Sequence, residues 1–172
     1  MDTIEAMMTR RSVRQFTGET LTDEELDVVL RAAMNAPSAG NERPWRFIVV
    51  RDPAALKLLS RATPFASPLA GAGAGIAVCA DRLGLKYPGF WPIDCSAATQ
   101  NLLLAAHAMG LGGVWIGVHP IGPFKTLVRR ALDLPRHITP VSLIALGHPA
   151  HAPVPIERYD PHFVHFERWG GD

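Results

Sequence analysis

The stretch Asp94-Cys95-Ser96-Ala97-Ala98-Thr99-Gln100-Asn101-Leu102-Leu103-Leu104-Ala105-Ala106-His107-Ala108-Met109-Gly110 continues into Leu111-Gly112-Gly113-Val114-Trp115-Ile116-Gly117-Val118. After Asp94 no formal charge appears until Lys125. A helix over Asp94 to Met109 presents small or apolar side chains on almost every face, which predicts burial on all sides. Asp94 suits the first turn of such a helix, and Gly110 and Gly112 mark its stop. Val114-Trp115-Ile116 then reads as a short buried strand. The run is long enough to span a membrane. Gln100, Asn101, His107 and the glycine cluster argue instead for a core helix wrapped by the rest of a soluble domain.

The whole chain is consistent with that frame. Its 172 residues are enough for a single domain with a real core, spanning 1–172. Apolar residues make up 48% and charged residues 19%, a globular balance far from disorder. A net charge of +1 gives no electrostatic case for nucleic acid or an acidic membrane. Cys79 and Cys95 both sit in apolar runs, as expected in a reducing compartment. Met1-Asp2-Thr3-Ile4-Glu5 is too polar and acidic for a signal peptide. A cytoplasmic location is therefore the expectation.

Outward from the central helix, the pattern predicts alternating helices and strands. A short helix covers Thr3 to Thr9. Thr22-Asp23-Glu24-Glu25 is a capping box for a helix with Leu26, Val29, Leu30 and Ala33 on one face. A turn-rich loop follows at residues 36–45, then a strand over Arg46 to Val50. Asp52-Pro53 opens a helix running to about Ala62. Residues 63–74 read as a loop of small residues, and Gly75 to Ala80 as a second buried strand. A helix is expected over Pro123 to Leu132 and a strand over Thr139 to Leu146. The tail from His151 onward is rich in proline and aromatic residues, so residues 152–172 are expected to dock as an arm on another surface.

Several chemical motifs fail on context. Gly71-Ala72-Gly73-Ala74-Gly75 precedes a strand, whereas a dinucleotide fingerprint follows one and opens a helix. His148 and His151 have suggestive spacing, as do His162 and His165, but the first pair flanks a proline in a turn with no cysteine or carboxylate joining it, and no metal site is expected. His107 reads as a satisfied core histidine. Cys79 and Cys95 lack a cationic neighbour in sequence and read as inert buried thiols. Ser38 lacks a nucleophile elbow.

Three segments remain. Arg10, Arg11, Ser12 and Arg14 place three cations and a hydroxyl within five residues. They fit either a helix C-terminus and solvated face or an anion site, since Arg10, Ser12 and Arg14 share one side of an extended run. The loop from Pro37 to Trp45 offers backbone groups and the Asn41 amide. The glycines from Gly113 to Gly117 allow a flat ligand to approach bare backbone. Tyr87, Phe90 and Trp91, among Pro88, Gly89 and Pro92, suit either a pinned surface loop or a mobile flap over a pocket.

These residues resemble the FMN-dependent nitroreductases. The likeness rests on Arg10-Arg11-Ser12-Val13-Arg14-Gln15-Phe16 and on Ala36-Pro37-Ser38-Ala39-Gly40-Asn41 before Pro44-Trp45. It also rests on Gly110-Leu111-Gly112 before Trp115-Ile116-Gly117, on Gly147-His148-Pro149, and on Arg158-Tyr159 followed by His165-Phe166 and Trp169. The resemblance implies an α+β homodimer, a mixed sheet surrounded by helices, with two FMN sites at the subunit interface. It implies that Arg10 and Ser12 hold the phosphate with Arg11 assisting, that Arg14 lies near the pyrimidine end, and that Arg158 closes from the tail. Pro37, Ser38, Ala39 and Asn41 would come from the other subunit, and Trp115, Ile116 and Gly117 would face the ring near N5. The implied reaction passes hydride from NADH or NADPH through flavin N5 to an electrophilic acceptor such as a nitroaromatic or quinone. No side chain is itself catalytic in that scheme. A flavin-binding dimer without significant turnover is the alternative.

The sequence also departs from the family pattern. Arg43 stands where glutamine usually precedes Pro-Trp. Residues 63–74 lack the asparagine and lysine that longer members place against the flavin, and residues 81–93 are short.

Overall fold

The computed structural model describes residues 1–171. In chain order its elements are α1 (Thr3–Thr9), α2 (Asp23–Met34), β1 (Trp45–Val50), α3 (Pro53–Leu59), β2 (Ala74–Asp81), α4 (Trp91–Ala108), β3 (Gly112–Gly117), α5 (Gly122–Ala131) and β4 (Ile138–Gly147). Short 3-10 turns lie at Ala39–Asn41, Ser67–Gly71 and Pro161–Phe163.

The apolar helix α4 starts at Trp91, three residues before the expected Asp94. Pro92 sits in its first turn, where a missing N–H leaves no bond unmade. Trp91 therefore belongs to a helix and not to a loop. It is half-buried, and its ring meets His119 edge-on with centroids 4.7 Å apart. Cys95, Ala98, Leu102 and Ala106 are fully buried along α4. Among the described residues no helix is long and apolar enough to cross a membrane.

The strands form one sheet in the order β1-β2-β4-β3, every neighbouring pair antiparallel. Parallel pairing enters only as a bridge between Ser12 and Gly113. Because strand side chains alternate, the central strand β2 feeds two cores. Ile76, Val78 and Ala80 pack with Leu26, Val29 and Ala33 of α2 and with α4. Ala77 and Cys79 pack on the other face with Leu56 and Leu59 of α3, Val128 of α5, and Val114 and Ile116. The result is an α+β domain with helices on both faces of the sheet, in keeping with the fold the resemblance implies.

Local signals explain most boundaries. Thr22 and Glu25 form the reciprocal capping box of α2. The Asp52 carboxylate accepts the Ala55 N–H at 2.7 Å, and Pro53 occupies the first turn of α3. That helix ends at Leu59, short of Ala62, and the stretch read as loop contains the turn Ser67–Gly71.

Candidate active site

Helix α1 ends at Thr9, and Arg10 leaves it extended (φ −56°, ψ 130°). The segment that follows lies along β3. The Val13 N–H donates to the Gly113 carbonyl at 3.0 Å, and Phe16 bridges Pro149. Val13 is the buried residue of the run. It fills the space over Gly112, where a Cβ would sit 2.8 Å from its side chain. With Val13 inward, alternation turns Ser12 and Arg14 outward, and both are exposed. The sequence run thus becomes an extra edge beside the strand that carries Trp115.

Three adjoining clefts border this edge. Arg10, Arg11, Arg158 and Tyr159 line one of about 420 Å³, together with Glu157. Ser12, Arg14 and His151 line a second of about 280 Å³. Arg14 also lines a third of about 430 Å³ with Phe65, Trp115, Ile116 and Gly117. Arg10, Ser12 and Arg14 do not share one cavity. They occupy successive clefts along one edge, with Arg14 common to two.

Charge in the first cleft is unbalanced. Burial pulls the Arg10 guanidinium below its ordinary value, and the nearby cations Arg158 and Arg11 push the same way. Among the described residues, no ion pair involves Arg10, Arg14 or Arg158. Arg11 is different: its guanidinium donates to the carbonyls of Met8 (3.2 Å), Arg10 (2.6 Å) and Ile156, while its Nε is buried without a partner. It holds the tail against α1, and its Nε–H is the buried donor left without a partner. Burial first, then Arg10 and Arg11, also lower the pKa of His107 on α4, opposed by Glu5. Its Nε2 lies 2.8 Å from the Thr9 hydroxyl, which donates to the Glu5 carbonyl at 2.6 Å. With that hydroxyl proton committed, Nε2–H is the donor. His107 is satisfied, although half-buried beside α1 instead of deep in the core.

The third cleft is where the structure adds to the sequence reading. Gly113 does not bare its backbone to a ligand: a Cβ there would sit 2.8 Å from Leu103, so its smallness serves the core. Gly117 alone of these strand glycines opens onto free space and is exposed. Phe65, 70% exposed, stands at this cleft. An aromatic between Pro64 and Ser67-Pro68, in a segment otherwise small, was the signal available for it.

Pro37, Ser38, Ala39 and Asn41 lie elsewhere. They precede β1, the edge strand opposite β3 and three strand spacings away, about 14 Å. The buried Asp94 carboxylate accepts the Ala39 N–H at 3.0 Å, tying the loop to α4. The Ser38 hydroxyl accepts the Arg43 N–H at 3.0 Å. Pro37 and Asn41 are exposed. Arg43 has φ +48° and borders a separate groove with Trp45 and Phe47.

The dismissed groups stay quiet. Burial pushes both Cys79 and Cys95 up to about 12, so neither is a thiolate at neutral pH. His148 has a carboxylate that the sequence did not reveal, Glu25 at 3.6 Å, and His162 has Asp160 at 2.8 Å. Among the described residues no three potential metal ligands cluster.

A cationic cleft, a hydroxyl and a strand-lined slot in a row suit a ligand with an anionic end and a flat end. Comparison with known proteins points the same way. The model of the Nitroreductase family matches residues 7–71 and 69–148. The chain belongs to the nitroreductase family. It is 44% identical over 169 residues to a protein of Methanothermobacter thermautotrophicus provisionally named an NADH dehydrogenase/NAD(P)H nitroreductase, covering 98% of this chain and 88% of the relative. It is 31% identical to the oxygen-insensitive NADPH nitroreductase of Salmonella typhimurium, covering 88% and 67%. A provisionally named nitroreductase of Desulfovibrio desulfuricans, solved in complex with FMN, superposes with a TM-score of 0.83 at 31% identity over 98% of each chain.

Proposed function

We propose that this protein is an NAD(P)H-dependent FMN oxidoreductase that works as a homodimer. The observation that carries the reading is the row of clefts beside β3, with unpaired cations at one end and Trp115, Ile116 and Gly117 at the other. Arg10 and Arg158 would hold the phosphate, with Arg11 contributing its spare Nε–H and Ser12 its hydroxyl. Arg14 would sit between tether and ring. Bound FMN supplies hydride chemistry between a nicotinamide and an electrophilic acceptor. The chain's own task is to bind the cofactor at a fixed register, to set the charge near its ring through Arg14, and to leave one ring face open beside Phe65.

The residues 37–41 cannot reach this edge within one chain, because the sheet separates them from β3. A second copy supplying that loop completes the site, which is why the dimer is part of the proposal. The tail supports it. Beyond the Arg11–Ile156 contact, Tyr159, Phe163, Phe166 and Trp169 are 62% to 89% exposed. Such apolar surface calls for a partner.

The test is direct. Protein purified with FMN is titrated anaerobically with NADH and with NADPH while the flavin band is followed. Bleaching by either, at about one FMN per chain, is the expected result. A bound flavin that neither donor reduces would leave a cofactor-binding dimer in place of an enzyme.

A further inference from the structure

The segment between β2 and α4 carries Tyr87 and Phe90 and suits, from sequence, either a pinned surface loop or a mobile flap. The structure ties it down. One Glu42 carboxylate oxygen accepts the Lys86 N–H at 2.5 Å and the other accepts the Tyr87 N–H at 3.2 Å. The Tyr87 ring lies against bare Gly40: a Cβ there would sit 2.4 Å from the ring. From Tyr87 the chain closes a turn, Phe90 N–H to the Tyr87 carbonyl at 3.1 Å, and enters α4 with Asp94 N–H on the Phe90 carbonyl at 2.9 Å. Asp94 then holds Ala39. The links Glu42–Tyr87–Phe90–Asp94–Ala39 form a closed ring joining residues 38–43 to residues 86–94.

We infer that Glu42 is a positioning residue that makes the wall over the acceptor site preformed, so that acceptor size is selected before binding and not by closure. The inference rests on the proposed function, in which residues 37–41 border the cofactor of the other subunit. A segment bonded to that loop then stands at the mouth of the same site. Glu42 is suited to the task because a carboxylate accepts two N–H groups at once, and hydrogen bonds to a charged acceptor are the stronger kind. Gly40 is suited because its φ of +55° favours glycine and the ring above it leaves no room for a Cβ. Tyr87 is thereby spent on the clasp. Phe90, half exposed and held only through its backbone, is the aromatic left to meet an acceptor.

The experiment uses FMN-loaded protein reduced with dithionite, so that no nicotinamide step intervenes. Reoxidation by a small quinone and by a bulky nitroaromatic is timed in stopped flow for wild type, Glu42→Ala and Gly40→Ala. Both variants should lose preference for the small acceptor, the ratio of second-order constants falling at least about fivefold. The double variant should fall no further, because one clasp is broken either way. Amide exchange should show protected Lys86 and Tyr87 N–H groups in wild type and fast exchange in Glu42→Ala, with or without FMN. Unprotected amides in wild type overturn the clasp whatever the enzyme does. Protected amides with an unchanged acceptor ratio overturn its role in selection. Flavin that NADH and NADPH fail to bleach counts against the proposed function alone, since the reoxidation ratio is still measured.

Discussion

Beside β3, Arg10, Arg14 and Arg158 present cations to open clefts and form no ion pair among the described residues. Beside β1, several groups of residues 38–43 are bonded within the chain, Ser38 with Arg43, Ala39 with Asp94, and Glu42 with Lys86 and Tyr87, while the Asn41 amide and the Arg43 guanidinium stay exposed. One edge gathers unpaired cations at open clefts; the other is tied down by hydrogen bonds to its own chain. Unpaired guanidinium groups held together cost free energy through mutual repulsion, and a structure keeps them where an anion offsets that cost. A rigid loop costs little entropy to dock. In the proposed dimer the two edges would be complementary halves of one site, brought together by the pairing of two copies.

The largest expected effect comes from cutting that pairing. A chain ending at His151 loses Arg158 and the exposed aromatics of the arm. It should be a monomer at micromolar concentration by light scattering. Its FMN affinity should fall at least about 100-fold, since both cation and partner loop are gone. A truncated chain that remains a dimer with full FMN content would show that the edges meet without the arm.

Within the unsatisfied edge, Arg10→Ala removes the most buried of the unpaired cations. A hydrogen bond to a charged group is worth about 1.5–3 kcal/mol, so the dissociation constant for FMN should rise roughly 10- to 150-fold. Calorimetry on the apoprotein measures it. The phosphate keeps its charge whatever the redox state of the ring, so the flavin potential should stay where it was. Arg14→Ala should do the opposite. A cation beside the ring favours the form that carries added negative charge, so its removal should lower the potential by on the order of 30–65 mV with FMN content nearly intact. Equal potentials for Arg14→Ala and wild type, by dye equilibration, would move Arg14 to the phosphate end.

The two edges also differ in how much the sequence revealed. The β3 side was legible because its residues are local: Arg10 to Arg14 lie in one run, and period-two alternation about Val13 sets which point outward. The β1 side was legible only as a loop. Its clasp joins residues 44 and 45 apart in sequence, and nothing at Glu42 itself announces the partner. The start of α4 escapes the sequence pattern for a local reason: Trp91-Pro92 reads as the end of a loop, although proline is common in a first helical turn. Gly113 reads as ligand-facing because its real neighbour, Leu103, is brought there by tertiary packing. Phe65 went unread because an exposed aromatic in a loop has no periodicity to mark it.

The smallest effect sharpens the comparison from inside the chain. His107 touches the β3-side cations through α1, with Arg10 and Arg11 lowering its pKa after burial and Glu5 opposing them. In the apoprotein its neutral form is favoured, so its contribution to stability is complete above about pH 6.5 and is lost as pH falls through the lowered folded value. A phosphate at Arg10 and Arg11 offsets those cations and leaves the burial term in place. Its negative charges, screened by water and salt, should raise the His107 pKa. Linkage then requires the anion to bind slightly more tightly once His107 is protonated. A plain affinity-versus-pH curve would mix this with the cofactor's own phosphate, which titrates near about pH 6. The ring resonances of His107, followed by NMR with and without FMN, isolate it, and His107→Gln identifies the signal. An upward move is expected with FMN. A pKa that stays put or falls would mean that the cations of the β3 edge are not where the phosphate binds.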